Sequence, residues 1–295
     1  MGWKAHATKT KNMGWKAHAT KNMGWEANAR TGGFMRALIA IPVYNEGKYV
    51  CPVLTRVLEY AKDVLVIDDG STDKTVEVLP KMPVEVIRHS VNRGYGRAMR
   101  DAFAWAEIDG YDWVITMDCD EQHEPAAIPA FLAAARENRA DVVSGSRYVP
   151  RVSGKGTSAT YGSHEQDQPP PDRRAINETI TREINERLGL QLTDSFCGFK
   201  AYRVEALRRL NLTEHGYAFP MQFWVQAVAQ GLRIQEIPVK LIYNDPNRTF
   251  GGPMDDPEIR IKHYRRVLHC ELEKWAEKLP PVALTGVDEG CGKRR

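Results

Sequence analysis

From residue 37 the chain alternates short apolar runs with stretches whose apolar residues recur every three or four positions. Ala37-Leu38-Ile39-Ala40-Ile41 is unbroken, as a strand buried on both faces requires. Val50, Val53, Leu54, Val57 and Leu58 follow at helical spacing, with Pro52 tolerable only in the first turn. Val64–Ile67, Val84–Ile87, Trp113–Met117 and Asp141–Ser144 read as further strands. A short helix opened by Thr72-Asp73, one from about Arg97 to Glu107 and one over Pro125–Asn138 separate them. This βαβαβαβ order predicts a single α/β domain with a mostly parallel sheet and helices on both faces, Rossmann-like in build. Ligands of such sheets sit beyond the carboxyl ends of the strands.

Past Ser144 the alternation breaks. Residues 150–173, rich in Ser, Gly, Gln and Pro, read as a mobile loop. Ile176, Ile180, Ile184 and Leu188 then form one helical stripe. An almost wholly apolar helix follows over Phe219–Ala229, then a strand over Ile234–Ile242 and a helix from Pro257 to Trp275. On that last helix Ile261, Tyr264, Leu268, Leu272 and Trp275 share a face, with Arg260, Lys262, Arg265 and Arg266 on the polar side. Packing of the apolar face on the domain is expected, and peripheral contact with an anionic bilayer is the alternative. Residues 276–295 read as a flexible tail.

The first 34 residues repeat: Met1–Lys9 returns as Met13–Lys21, and a degraded copy starts at Met23. Three such short copies cannot stack into a solenoid, whose units are ~20–45 residues. They read as a disordered leader with a natural start at Met35, ahead of a domain spanning 35–275. A Trp-anchored basic tail is the alternative reading.

Charge changes the picture little. Lys and Arg number 41 against 38 Asp and Glu, a net +3, too balanced for a nucleic-acid-coating protein. The five cysteines are odd in number and none are at zinc-ligand spacing, which points to a reducing compartment and a cytoplasmic location. No run of ~18 apolar residues and no signal peptide is present, so any membrane contact is expected from the surface.

The candidate chemistry gathers at strand ends. Asp118 and Asp120 flank Cys119 and share a face if the strand continues, and two hard carboxylates suit Mg2+ or Mn2+. A bare Asp-x-Asp is more often a solvated acidic turn. Asp68-Asp69-Gly70-Ser71 ends the second strand, where a carboxylate can accept from a base or ribose, while Asp73 reads as a helix cap. Pro42-Val43-Tyr44-Asn45-Glu46 ends the first, with a stacking face at Tyr44 and an acceptor at Glu46. Asn92-Arg93-Gly94-Tyr95-Gly96 follows the third strand rather than the first and lacks the last glycine of a dinucleotide fingerprint, so it reads as a glycine-eased turn into a helix.

Taken in order with Gly145-Ser146-Arg147-Tyr148 and Asp194-Ser195-Phe196-Cys197-Gly198-Phe199-Lys200, these motifs resemble family 2 glycosyltransferases of the GT-A fold. The closest likeness is to the branch that acts on dolichol or polyprenyl phosphate. The resemblance covers Met35 to about Trp275. It implies a nucleotide pocket of Pro42, Tyr44, Glu46, Ile67 and Asp69, with backbone contact from Cys119. It implies a divalent metal on Asp118, Asp120 and Gln122, and phosphate or acceptor contacts from Arg147 and from Arg248 of an Arg-x-x-Gly loop. The family often has a lysine six residues after that arginine, where this chain has Met254.

The expected reaction is inverting transfer of a hexose from a GDP- or UDP-sugar to a polyprenyl phosphate. A phosphate acceptor is already an anion and needs cations, for which Arg147, Arg248, Lys200 and Arg173-Arg174 are candidates. Lys200 and Arg173 read more readily as plain surface charge than as site residues. A hydroxyl acceptor, on a glycan or small metabolite, needs a general base, and Asp194 is the candidate; its other reading is a cap or a buried acceptor. A nucleotidyltransferase, or a nucleotide-sugar-binding protein without catalysis, are the remaining alternatives.

Overall fold

The computed structural model describes residues 35–149, 151–152, 158–159, 169–243 and 249–287. The repetitive leader, most of the expected 150–173 loop, Arg248 and residues 288–295 lie outside the described residues.

Seven strands form one sheet: β1 (Ala37–Val43), β2 (Val64–Asp68), β3 (Glu85–Arg88), β4 (Trp113–Thr116), β5 (Val142–Ser146), β8 (Lys200–Arg203) and β9 (Ile234–Pro238). Their order is β3-β2-β1-β4-β8-β5-β9. All neighbours pair in parallel except β8, which runs antiparallel between β4 and β5. A two-stranded ribbon of β6 (Arg151–Val152) and β7 (Ser158–Ala159) stands apart. The helices are α1 (Val50–Val57), α2 (Thr75–Val78), α3 (Tyr95–Ile108), α4 (Ile128–Glu137), α5 (Pro171–Leu188), α6 (Val204–Leu207), α7 (Phe219–Ala229) and α8 (Pro257–Lys274).

The strand period of two divides the apolar residues between two cores. Ile39, Ile41, Val64 and Val66 face α1 and α4, packing with Leu54 and Phe131. Leu38, Ala40, Leu65 and Ile67 face the other way, with Met99 of α3, Ile180 of α5, Trp224 of α7 and Leu268 of α8. Helices on both faces of a mostly parallel sheet are what the alternation predicts.

Four expectations change. β8 carries no long apolar run, so a short Lys-Ala-Tyr-Arg strand is invisible to periodicity. The last strand ends at Pro238, four residues before Ile242. α5 begins at Pro171, inside the segment expected as loop, so Arg173 and Arg174 are helical. The tail expected to fray after Trp275 packs as far as Val287: two 3-10 turns follow, Ala283 is fully buried, and Arg187 donates to the carbonyls of Ala283 and Thr285 at 3.0 and 2.8 Å. No helix among the described residues is long and apolar enough to cross a membrane.

α8 packs on the domain with the face expected, Ile261, Tyr264, Leu268, Leu272 and Trp275, but one residue expected on the polar side joins that face. Arg260 shares the buried stripe with Tyr264, Leu268 and Leu272, while Arg265 turns outward to pair with Glu183 at 2.9 Å. Glu271 of α8 is buried and accepts from Gln222 (2.9 Å), Gln226 (2.6 Å) and Trp275 (2.9 Å). With Lys274 donating at 3.1 Å as well, this one carboxylate meets four donors and joins α7 to α8. Glu271→Leu should strand those donors and cost about 3–5 kcal/mol, read as a lower urea midpoint with an unchanged slope.

Candidate active site

The loops after β1 and β2 are fastened together by polar side chains. Asn45, held at φ +56°, accepts the Thr72 N–H at 2.8 Å, and its own N–H donates to Ser71 Oγ at 2.9 Å. Asp73 accepts from Gly47 N–H (2.9 Å) and Thr75 N–H (3.0 Å), at the start of α2. Asp68 is spent on the turn, accepting Ser71 N–H at 2.9 Å. Asp69 instead reaches a cavity of about 770 Å³ that opens across the carboxyl ends of β1, β2 and β4.

Asp69 is held from behind. Its Oδ1 accepts Arg93 N–H at 2.8 Å and lies 2.6 Å from His89 Nδ1, and its Oδ2 accepts Gly94 N–H at 2.8 Å. His89 Nε2 meets Asp101 at 2.8 Å, and Arg97 donates to the same carboxylate at 2.7 Å. Hydrogen bonds to Asp101 and then Asp69, against the cost of burial, raise the His89 pKa to about 9. The Gly94–Gly96 turn has its own reason. A Cβ on Gly96 would stand 2.4 Å from the Glu214 carbonyl, and its N–H donates to His215 O at 2.7 Å. The glycine therefore docks the 211–217 loop against α3, and Tyr217 joins the cavity lining.

β4 ends in the acidic turn. Asp118 N–H donates to His123 Nδ1 at 2.9 Å, so the imidazole carries its proton on Nε2, 3.8 Å from Cys197 Sγ. Burial, the largest influence, lowers the His123 pKa to about 4, so this ring is a neutral brace. Glu121 adopts φ +60°, and Asp120 accepts Gln122 N–H at 3.1 Å. Asp118, Asp120 and Gln122 all line the cavity. The Asp118 carboxylate lies over Gly198, where a Cβ would come within 2.5 Å of Oδ2. The missing side chain is the cradle that holds this carboxylate.

These residues fit a divalent cation shared with a ligand. The donors are hard oxygens, and among the described residues no group of three or more His, Cys, Asp or Glu side chains forms a closed cage. Mg2+ is commonly bound this way, by one or two carboxylates with the remaining positions filled by phosphate and water.

The other half of the cavity is cationic. Arg147, at the end of β5, donates to Asp194 through Nε (2.6 Å) and Nη2 (2.9 Å). Asp194 is fully buried and also accepts Asn177 Nδ2 at 2.9 Å. Burial alone would raise its carboxyl, but the charge and hydrogen bonds of Arg147, with Asn177 and Lys200, hold it at about 2. Asp194 therefore is not the general base expected of a hydroxyl-acceptor enzyme: both its oxygens are taken by Arg147 and Asn177, a carboxylate held this low is a weak base, and it does not line the cavity. It is the residue that aims Arg147. Lys200, at the start of β8, is 3% exposed, donates to the Cys197 carbonyl and sits over the Trp224 ring. Burial lowers its pKa, and Cys197 and Asp194 oppose that shift.

Most of the expected site residues meet here. Pro42, Tyr44, Glu46, Asp69, Asp118, Cys119, Asp120, Gln122 and Arg147 all line the one cavity. Ile67 does not: it is fully buried in the core on the α3 side of the sheet, two residues before Asp69 and beneath the opening. Arg248 is among the undescribed residues. Lys200 and Arg173, whose residue context favours plain surface charge, both line the cavity, as does Arg260, placed by the helical pattern on the solvent face. Residue type alone cannot separate these cations from the many exposed ones; the apolar stripe shared by Arg260 and Tyr264 was the one signal available.

Residues 38–210 match the family described as glycosyl transferase family 2. Undecaprenyl-phosphate mannosyltransferase of Micrococcus luteus is 31% identical over 242 residues, covering 78% of this chain and 94% of its own. Polyprenol monophosphomannose synthase of Mycolicibacterium smegmatis is 30% identical over 215 residues, covering 69% and 76%. Glucosyl-3-phosphoglycerate synthase of Mycobacterium tuberculosis, solved with Mn2+, UDP and phosphoglyceric acid, superposes with a TM-score of 0.60 at 15% identity, covering 82% of this chain and 78% of that one. That last likeness is one of fold.

The geometry makes two predictions. The His89 pKa is about 9 in the folded protein and ~6.5 in an unfolded chain, so its stabilisation is complete below pH ~6.5 and disappears as pH rises through 9. His89→Gln should remove that slope and cost about 1–2 kcal/mol at pH 6 after solvent screening, measured by urea melts across pH 6–10. Gly198→Ala should displace the Asp118 carboxylate and weaken Mn2+-dependent nucleotide binding about tenfold or more, while calorimetry in EDTA shows nucleotide affinity unchanged.

Proposed function

The chain belongs to glycosyl transferase family 2, and we propose that it transfers a hexose from a GDP- or UDP-sugar to a polyprenyl phosphate, inverting the anomeric carbon. The observation that carries this reading is the division of charge within one cavity. Its carboxylates stand at the ends of β1, β2 and β4, and its cations Arg147 and Lys200 stand at β5 and β8. A nucleotide diphosphate bridged by a cation suits the first half, and an anionic acceptor suits the second. The relatives named for undecaprenyl phosphate and polyprenol monophosphomannose support the acceptor class.

On the donor side, Tyr44 presents a ring that is 46% exposed for stacking, and Asp69 and Glu46 offer carboxylate acceptors to base or ribose. Asp118, Asp120 and Gln122 would hold Mg2+ or Mn2+, and the ion would supply Lewis-acid stabilisation of the leaving diphosphate. Arg147 has Nε and Nη2 engaged by Asp194, which leaves Nη1 among its donors for a ligand phosphate. Because Asp194 keeps the guanidinium from swinging, its charge acts without reorganisation during the reaction.

In the transfer, a phosphate oxygen of the acceptor forms the new bond to the anomeric carbon as the bond to the nucleoside diphosphate breaks. No proton has to leave the nucleophile, so no general base is required. A hydroxyl acceptor would require one, and Asp194 cannot serve. A nucleotidyltransferase is set aside by the family itself. A lipid acceptor places the work at a bilayer surface, and we propose peripheral contact there on the cytoplasmic side.

The test is transfer of labelled hexose from GDP- and UDP-sugars to polyprenyl phosphate, with Mn2+ or EDTA. We expect turnover with one nucleotide, lost in EDTA, and a fall of ~10²–10³-fold in kcat for Asp120→Ala. Undiminished turnover in EDTA removes the metal, and transfer confined to hydroxyl acceptors removes the phosphate acceptor.

A further inference from the structure

At the α5 and α8 side of the cavity two guanidinium groups share one aromatic ring. Arg173 Cζ lies 4.7 Å from the Phe250 ring centroid, and Arg260 Cζ lies 4.6 Å from it. Both arginines and Phe250 line the cavity. Arg260 is 3% exposed, although its neighbours Lys262, Arg265 and Arg266 on α8 face water. Its Nη2 pairs with Asp172 at 2.7 Å, and its Nη1 donates to the Met254 carbonyl at 3.2 Å. The Asp172 side chain is 41% exposed and does not line the cavity.

Charge balance makes this corner unusual. The cavity-lining carboxylates among the described residues, Glu46, Asp69, Asp118 and Asp120, all belong to the ends of β1, β2 and β4. Burying a cation costs several kcal/mol unless an anion and hydrogen bonds answer it. A cation–π contact returns only ~0.5–2 kcal/mol. A half-solvated Asp172 answers Arg260 in part, and an anion entering the cavity would complete the rest. The Met254 carbonyl accepts from Arg260, so α8 brings a cation to this stretch of backbone.

We propose that Arg260, beside Arg173 and packed on Phe250, binds the phosphate monoester of the acceptor. The identity of the acceptor as a polyprenyl phosphate rests on the functional reading above; the phosphate site itself does not. The neighbouring surface favours an isoprenoid chain over a free phosphate. Tyr217, 44% exposed, meets Phe250 edge-on at 5.3 Å, and Tyr264 lines the cavity beside Arg260.

The test is calorimetric titration of the full chain with geranylgeranyl phosphate, geranylgeraniol and inorganic phosphate, separately from any transfer assay. Arg260→Met should weaken geranylgeranyl phosphate about 10- to 100-fold, the worth of a hydrogen bond to a charged group, and leave GDP or UDP affinity unchanged. Asp172→Asn should bind as tightly as wild type or tighter, because it frees Arg260 for the ligand. Equal weakening by both variants would mean that Arg260 serves only its ion pair, and would overturn the proposal. Unchanged affinity in Arg260→Met, lost nucleotide binding in that variant, or geranylgeraniol binding as well as its phosphate would overturn it too. Inorganic phosphate binding as tightly, with the same dependence on Arg260, supports the site and shows that it reads phosphate alone. Arg260-dependent binding without transfer to polyprenyl phosphate would sink the functional reading and leave this site standing.

Discussion

The buried pair of Arg147 and Asp194 holds the two halves of this protein's chemistry in register. Taking both charges out of water costs several kcal/mol per ion, and the bidentate geometry at 2.6 and 2.9 Å with a further bond from Asn177 is what offsets it. Three parts of the chain meet in that pair: the end of β5, the loop leading to β8, and α5. The same loop places Gly198 beneath Asp118 and gives Lys200 to the cavity. Thr116 of β4 donates to the Gly198 carbonyl at 2.8 Å, so the loop is also tied to the strand that carries the acidic turn.

Strand order explains why charge divides as it does. β4 is flanked by β1 on one side and by antiparallel β8 on the other. The loops after β1, β2 and β4 bring Glu46, Asp69, Asp118 and Asp120 to one half of the opening. The antiparallel β8 begins where its neighbours end, so Lys200, its first residue, reaches the same edge as Arg147 at the end of β5. A parallel strand in that position would send its first residue to the opposite edge of the sheet. One reversed strand thereby supplies a cation opposite the acids.

Several buried groups work by fixing others. His123, neutral, accepts from the Asp118 backbone, and His89, charged, joins Asp69 to Asp101. Two histidines a few tens of residues apart thus take opposite protonation states. Desolvation dominates for His123, whereas for His89 two flanking carboxylates outweigh it. Neither state is written in the residue type.

The alternation of apolar runs and helical stripes determined the layered α/β architecture, because a sheet covered on both faces demands it. The order of the acidic and glycine-bearing motifs, each at a strand end, determined the family and nine of the residues that line the cavity. What the tertiary structure decided is which charges are buried and what answers them. Asp194 became an anchor for Arg147 instead of a base, Ile67 turned into the core, and Lys200, Arg173 and Arg260 came in from what read as surface. The packed tail up to Val287 belongs to the same class, held by Arg187 from α5. Local sequence sets the period of an element, but the protonation and partners of a charged group depend on residues tens of positions away, brought near only when the sheet closes.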